Sequence, residues 1–259
     1  MVSVVFCCGG SRGDLLTAAA LLEEPSVALR GIVYSPSGGS GPEFTEQLTA
    51  LLGGGVPVVT AAPGALFRPD KTSGAAEHLE TLSLLERAAG ECAAVLSTGR
   101  LTELALFFLA YPRQACRFSG LYIAGGSVYS GNRTPAAENT FYEDPEAAQI
   151  LTSRATGIHL LPLEASQGCT VSCSDGSIST PGLGLLLSLL DPQAVREEEH
   201  TLEVDLESAV SRGCSVIDWL NRDKELPFHR ICLDVDRERF RILAERAHGH
   251  LTKGGIPLG

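Results

Sequence analysis

No stretch of about 18 or more consecutive apolar residues, the length a bilayer-spanning helix needs, occurs in this chain of 259 residues. The apolar start, residues 1–6, has no basic segment before it and runs into glycine, so it reads as a first buried strand and not a leader. Basic residues are scarce as well: 20 Lys and Arg stand against 31 Asp and Glu, a net charge of −11 that repels phosphate backbones and anionic membrane surfaces. Neither nucleic acid nor a membrane is expected as a partner, and the expected setting is soluble and cytoplasmic.

Several chemical signatures are missing too. Gly9-Gly10-x-x-Gly13 is too loose for a dinucleotide fingerprint or a P-loop, and Asp14 beside it would compete with a bound phosphate. No Gly-x-Ser-x-Gly lies between a strand and a helix, which removes a serine-hydrolase elbow. The eight cysteines are scattered, and Cys169-x-x-x-Cys173 has neither a second pair nor a His pair at zinc spacing. His229, close to Pro227, reads as a packing or surface residue. There is no fixed-period repeat and no low-complexity tract.

What is present is the composition of a folded globule, 44% hydrophobic and 20% charged. Short β-rich runs at 4–6, 27–34, 56–60, 93–97, 121–123 and 159–162 alternate with helical patterns at 14–22, 43–52, 77–89 and 101–110 and from Pro145 onward. That alternation predicts an α/β fold: an open, mostly parallel sheet with helices on both faces, carried by a single domain over 1–259. Residues 201–205 and 231–234 read as strands of a small additional C-terminal sheet, and 237–248 as a charged closing helix. The acidic run 196–199 reads as a solvated helix end, and 127–144 as a long polar loop.

Ligands of such sheets settle at the carboxyl ends of the strands. The loops expected there run Gly125-Gly126, Gly131-Asn132-x-Thr134-Pro135-Ala136-Ala137-Glu138 and Asp144-Pro145-Glu146-Ala147-Ala148. In order and spacing they resemble the Met-Gly-Gly, Gly-Asn, Ala-Glu-Phe-Asn and Asp-Pro-Glu-Ala-Ala segments of the nucleoside hydrolase family. Ser97-Thr98-Gly99-Arg100-Leu101-Thr102 is similar to the family's Thr-Gly-Pro-Leu-Thr-Asn turn, and the segments at 211–219 and 233–240 are similar to its closing elements. The resemblance implies that Asn132 and Glu138 contact ribose hydroxyls, an amide offering both donor and acceptor and a carboxylate a charge-assisted acceptor. Read without the resemblance, the same two residues would hold their loop together. Thr98 would lend a main-chain carbonyl to calcium.

Elsewhere the resemblance fails at the residues that carry chemistry. The family's first strand ends in Asp-x-Asp-x-x-x-Asp-Asp, a calcium grip; here Cys7, Gly9 and Gly13 occupy three of those positions and Asp14 alone remains. The acid matching Gly9 binds calcium and acts as general base toward water in the family, and glycine has no side chain for either task. Pro181 stands at the catalytic histidine and Gly182 at the last metal aspartate. Ala124 and Thr140 replace a Met and an Asn, Gly38 stands near a usual Asn, and a His-Gly segment is expected around 69–74 but is not there.

Calcium takes roughly six to eight oxygen ligands with carboxylates balancing its charge, so Asp14 and Thr98 form an insufficient set and no cofactor is expected. The expectation is therefore a catalytically inactive nucleoside hydrolase-like protein with a binding or structural role in a larger assembly, cytoskeletal or flagellar in class, with partner proteins or a second copy of itself. The alternatives are a divergent purine or pyrimidine nucleoside N-ribohydrolase with another water activator, and a nucleoside or ribose binder that does not hydrolyse.

Overall fold

Successive side chains of a strand face opposite sides of its sheet, and in β1 (Val2–Cys8) both sides are apolar. Val4, Phe6 and Cys8 join one buried cluster, while Val5 and Cys7 join the other. A strand buried on both faces belongs in the middle of a parallel sheet covered by helices on each side. The structure, a computed structural model, describes residues 1–36, 42–69, 75–174 and 176–253, so the readings placed on Gly38 and on 70–74 lie outside the described residues.

From β1 the chain runs through α1 (Arg12–Glu23), β2 (Val27–Tyr34), α2 (Pro42–Leu52) and β3 (Val58–Thr60). A minimal hairpin, β4 (Gly64–Ala65) and β5 (Arg68–Pro69), precedes α3 (Ala75–Gly90), β6 (Ala94–Ser97), α4 (Thr102–Ala110), α5 (Pro112–Ala115) and β7 (Gly120–Ala124). Then come α6 (Asn139–Glu143), α7 (Pro145–Arg154), β8 (His159–Leu161), α8 (Leu163–Ser166), β9 (Thr170–Cys173), β10 (Gly176–Ser179) and α9 (Pro181–Leu190). The chain closes with β11 (Val195–Val204), β12 (Ser215–Asp218), β13 (Phe228–Val235) and α10 (Arg237–Lys253).

Among the described residues one sheet has the order β3-β2-β1-β6-β7-β8-β13-β11-β12. Pairing is parallel from β3 to β13 and antiparallel across β13-β11-β12. The strands expected at 201–205 and 231–234 form within β11 and β13; with β12 they make a small antiparallel group that is joined to the parallel sheet through β13 and β8. A separate antiparallel pair, β9 with β10, lies apart from that sheet. Leu15 and Leu16 of α1, Phe44 of α2, Leu183 of α9 and Phe240 of α10 pack on the Phe6 face; Leu84 of α3, Phe107 of α4 and Leu151 of α7 pack on the Val5 face. α10 is tied back to α1 by His250 on Glu23 at 2.7 Å and Arg246 on Glu24 at 3.4 Å.

Two local readings are corrected. The acidic run 196–199 is part of strand β11, where Glu197 turns inward onto the His159 ring at 2.9 Å and Glu198 and Glu199 stay exposed. The polar stretch 127–144 is a loop only as far as Glu138: a short helix, α6, follows, because the Glu138 side chain accepts from the N–H groups of Thr140 and Phe141 and caps it. His229 is a packing residue, fully buried, with Nε2 on the Thr152 carbonyl at 2.8 Å and Nδ1 taking the Ile158 N–H at 3.3 Å.

Candidate functional site

The chain moves outward from β1 through β2 to β3 and then returns to the other side of β1 at β6, so the strand order reverses between β1 and β6. Loops leaving the two strands at such a reversal part and leave a crevice at their carboxyl ends. Cys7 pairs with Ser97 across it, and the Thr98 N–H donates to the Cys7 carbonyl at 2.9 Å. A cleft of about 260 Å³ opens there, and Gly9, Asp14, Thr98, Asn132, Glu138 and Pro181 all line it. Residues up to 172 positions apart in the sequence (Gly9 to Pro181) are thus brought to one place.

Asp14 sits on the floor. Ser11 and Asp14 form a reciprocal cap on α1: Ser11 Oγ accepts the Asp14 N–H at 3.1 Å, and Asp14 Oδ2 accepts the N–H groups of Gly10 at 3.0 Å and Ser11 at 2.8 Å. Its other oxygen, Oδ1, accepts the Thr98 hydroxyl at 2.6 Å. Thr98 therefore reaches Asp14 with its side chain, and both carboxylate oxygens are engaged within the protein.

The remaining floor positions are built without polar side chains. Cys7 is buried, and burial followed by the nearby charge of Glu103 pushes its thiol up to about 12, so it stays neutral. At Gly13 a Cβ would lie 2.1 Å from the Ser179 carbonyl oxygen, and at Gly182 it would lie 2.4 Å from Thr17 Oγ1. Helix α1 thus packs against the β10–α9 junction at a separation that only glycine permits. Pro181 is the first residue of α9, where its missing N–H costs nothing.

The opposite wall comes from the loop after β7. Glu138 is 8% exposed, and its Oε2 collects three N–H groups, from Gly126 at 2.9 Å, Thr140 at 2.9 Å and Phe141 at 3.4 Å. Burial raises its carboxyl above the usual range, opposed by those N–H groups and by the Thr140 hydroxyl. Asn132 Oδ1 accepts the Asn139 N–H at 2.9 Å and so fixes the loop across its mouth. Both residues therefore hold the loop and face the cleft. Asp144, fully buried, caps α7 through the Ala147 N–H at 3.1 Å and also takes the Leu66 N–H at 2.7 Å and the Thr102 hydroxyl at 2.5 Å.

Asn139, Ser166 and Ser179 also line the cleft and were not singled out from the sequence. Asn139 follows directly on Glu138, a position that could have been inspected; Ser166 and Ser179 are brought in by α8 and the β9–β10 pair, which carry no recognisable signal of their own. Among the described residues, no group of three or more His, Cys, Asp or Glu is placed to hold a metal ion.

A family model described as inosine-uridine preferring nucleoside hydrolase matches residues 8–180. The pyrimidine-specific ribonucleoside hydrolase RihA of Salmonella paratyphi B is 24% identical over 305 aligned positions, covering 94% of this chain and 97% of its own. That of Escherichia coli O7:K1 is 23% identical over 304, with the same coverage. Among solved structures, an inosine-guanosine nucleoside hydrolase superposes with a TM-score of 0.81 at 17% identity, covering 95% of this chain and 98% of that one. A purine-preferring ribonucleoside hydrolase from Gardnerella vaginalis superposes with a TM-score of 0.80 at 16% identity, covering 96% and 98%. These superpositions establish the α/β fold.

Proposed function

The chain belongs to the inosine-uridine preferring nucleoside hydrolase family, and we propose that within it this protein has kept a ribosyl-sized cleft and lost hydrolysis, so that it binds a small polyhydroxylated ligand without cleaving it. The contact that carries this reading is Gly13 against the Ser179 carbonyl, where a Cβ would come within 2.1 Å of a backbone oxygen. No acid fits there unless the backbone moves. Gly182 is closed by Thr17, Cys7 offers a neutral thiol, Gly9 has no side chain, and both oxygens of Asp14 are taken. The residues present do not fit calcium, which takes roughly six to eight oxygens with carboxylates among them.

Cleaving an N-glycosidic bond further requires a group to deprotonate water and one to assist the departing base. Gly9 and Pro181 stand where the family resemblance places those groups, and neither can move a proton. The open cleft and the polar groups on its wall favour binding over a purely mechanical scaffold. A second reading, a protein partner or a second copy of the chain, is favoured by Val216, Trp219, Leu220 and Phe228, which are 56, 42, 69 and 39% exposed at the β12 end of the sheet.

The test is to incubate the purified protein with inosine and with uridine, with and without added calcium, and to follow ribose release alongside calorimetry with ribose and ribitol. The expected result is no release in any condition and measurable heat with the polyols. Calcium-dependent release of ribose would overturn the loss of hydrolysis, and absence of heat at millimolar polyol would overturn the binding role.

A further inference from the structure

Charge bookkeeping in the cleft points to the class of ligand. Two lining residues, Asp14 and Glu138, are carboxylic acids, and among the described residues none that lines the cleft is Lys, Arg or His. Asp14 is answered from within by two N–H groups and the Thr98 hydroxyl. Glu138, which lines the same cleft, is answered only by neutral groups: three backbone N–H groups converge on Oε2, and the Thr140 hydroxyl is a further hydrogen-bond partner of its carboxyl. Burial without a countercharge works against its ionised form. A neutral ribosyl group would add hydroxyls but no positive charge.

Resting on the reading of this cleft as a ribosyl-sized binding site, we propose that its ligand is a small hydroxylated amine, an amino sugar or amino polyol, whose ammonium group pairs with Glu138. Hydroxyls of such a molecule match the donors and acceptors of Asn132, Asn139, Ser166 and Ser179, all of which line the same cleft. A charge-assisted hydrogen bond is about twice as strong as a neutral one, and partial exclusion of water strengthens it further. An anionic ligand meets two carboxylates and no cation. The wall acid that would hold one end of a neutral sugar thus selects for positive charge here, because no Lys, Arg or His among the described residues lines the cleft to supply it.

The experiment compares three molecules of one skeleton on the intact protein by calorimetry at neutral pH: ribitol, ribonate and 1-amino-1-deoxyribitol. The ammonium compound is expected to bind about tenfold or more tightly than ribitol, a ratio equivalent to about 1.4 kcal/mol, with ribonate weakest. Raising salt should erode the ammonium advantage and leave ribitol unchanged. Glu138→Gln should bring the ammonium compound and ribitol to within about twofold of each other. If that variant fails to fold, the three-ligand ranking and its salt dependence in the unaltered protein decide the matter. Ribitol binding as tightly as the amine would overturn the ammonium preference and leave the polyol cleft standing; heat from none of the three would sink the binding role itself.

Discussion

The two walls of the cleft differ in how many acids they keep and agree in what those acids do. On the loop wall, Glu138 caps α6 and gathers the Gly126 N–H, and Asp144 caps α7 and holds Leu66 and Thr102. On the floor, Asp14 caps α1, while Cys7, Gly9, Gly13 and Gly182 stand where the family resemblance places acids. Each acid kept on either wall satisfies backbone N–H groups of a helix end, which would otherwise be left without partners. The positions without an acid are those where the backbone asks for none. A carboxylate that survives in such a site therefore first reports on folding, and its role toward a ligand has to be argued from the groups that share the cleft with it, as at Glu138.

Placing an acid back on the floor gives the sharpest break of this comparison. Gly13→Asp should destabilise the protein by roughly 3 kcal/mol or more, because the new Cβ meets a backbone carbonyl that cannot turn aside. Urea unfolding reads the loss directly. A stable Gly13→Asp protein that also gained calcium binding would mean the floor can reopen, and the two walls would then differ by sequence alone.

Asp14→Ala comes next. It removes the acid of the reciprocal cap and strands the Thr98 hydroxyl, with an expected cost of about 1–2 kcal/mol in thermal or urea unfolding. Unchanged stability together with lost polyol binding would move Asp14 from fold to ligand and erase the contrast between caps and ligand groups.

The smallest effect is a change of slope. Burial raises the Glu138 carboxyl, so the folded protein holds that proton to higher pH than the unfolded chain does. The stabilisation this gives is complete below the ordinary glutamate range and is lost as pH rises through the raised value. Glu138→Gln cannot titrate, so its melting temperature should vary less with pH above the ordinary glutamate range than that of the unaltered protein. Parallel curves would place Glu138 in a setting no different from solvent.

Much of this was legible in the residues, and the exceptions have local causes. The β-α alternation was readable because the central strands are apolar on both faces and each is followed by a helical spacing, as in β1 and α1. Gly9, Asp14, Thr98, Asn132, Glu138 and Pro181 were identified by motif, and the structure gathers all six at one cleft. Their ligand roles were not legible, since a motif cannot say that Asp14 spends both oxygens inside the protein. Residues 196–199 misled because a run of charge looks like a solvated helix end, whereas here Glu197 alone turns inward to His159 while Glu198 and Glu199 stay in water. Helix α6 was hidden because its stability comes from one side chain, Glu138, and not from periodicity. The closed packing at Gly13 and Gly182 depends on Ser179 and Thr17, distant partners that no local pattern names.

The parallel register between β13 and β8 has a consequence for how this molecule comes to exist. As the chain emerges during synthesis, the outer edge of β8 waits uncovered until Phe228–Val235 has been made, and α1 waits as long for α10. An open strand edge is a template for association with other chains, and pairings so remote in sequence form slowly. A nascent or truncated form ending before β13 should therefore be a client for chaperones and a seed for aggregates, so that the residues from Phe228 onward set whether those before them stay in solution.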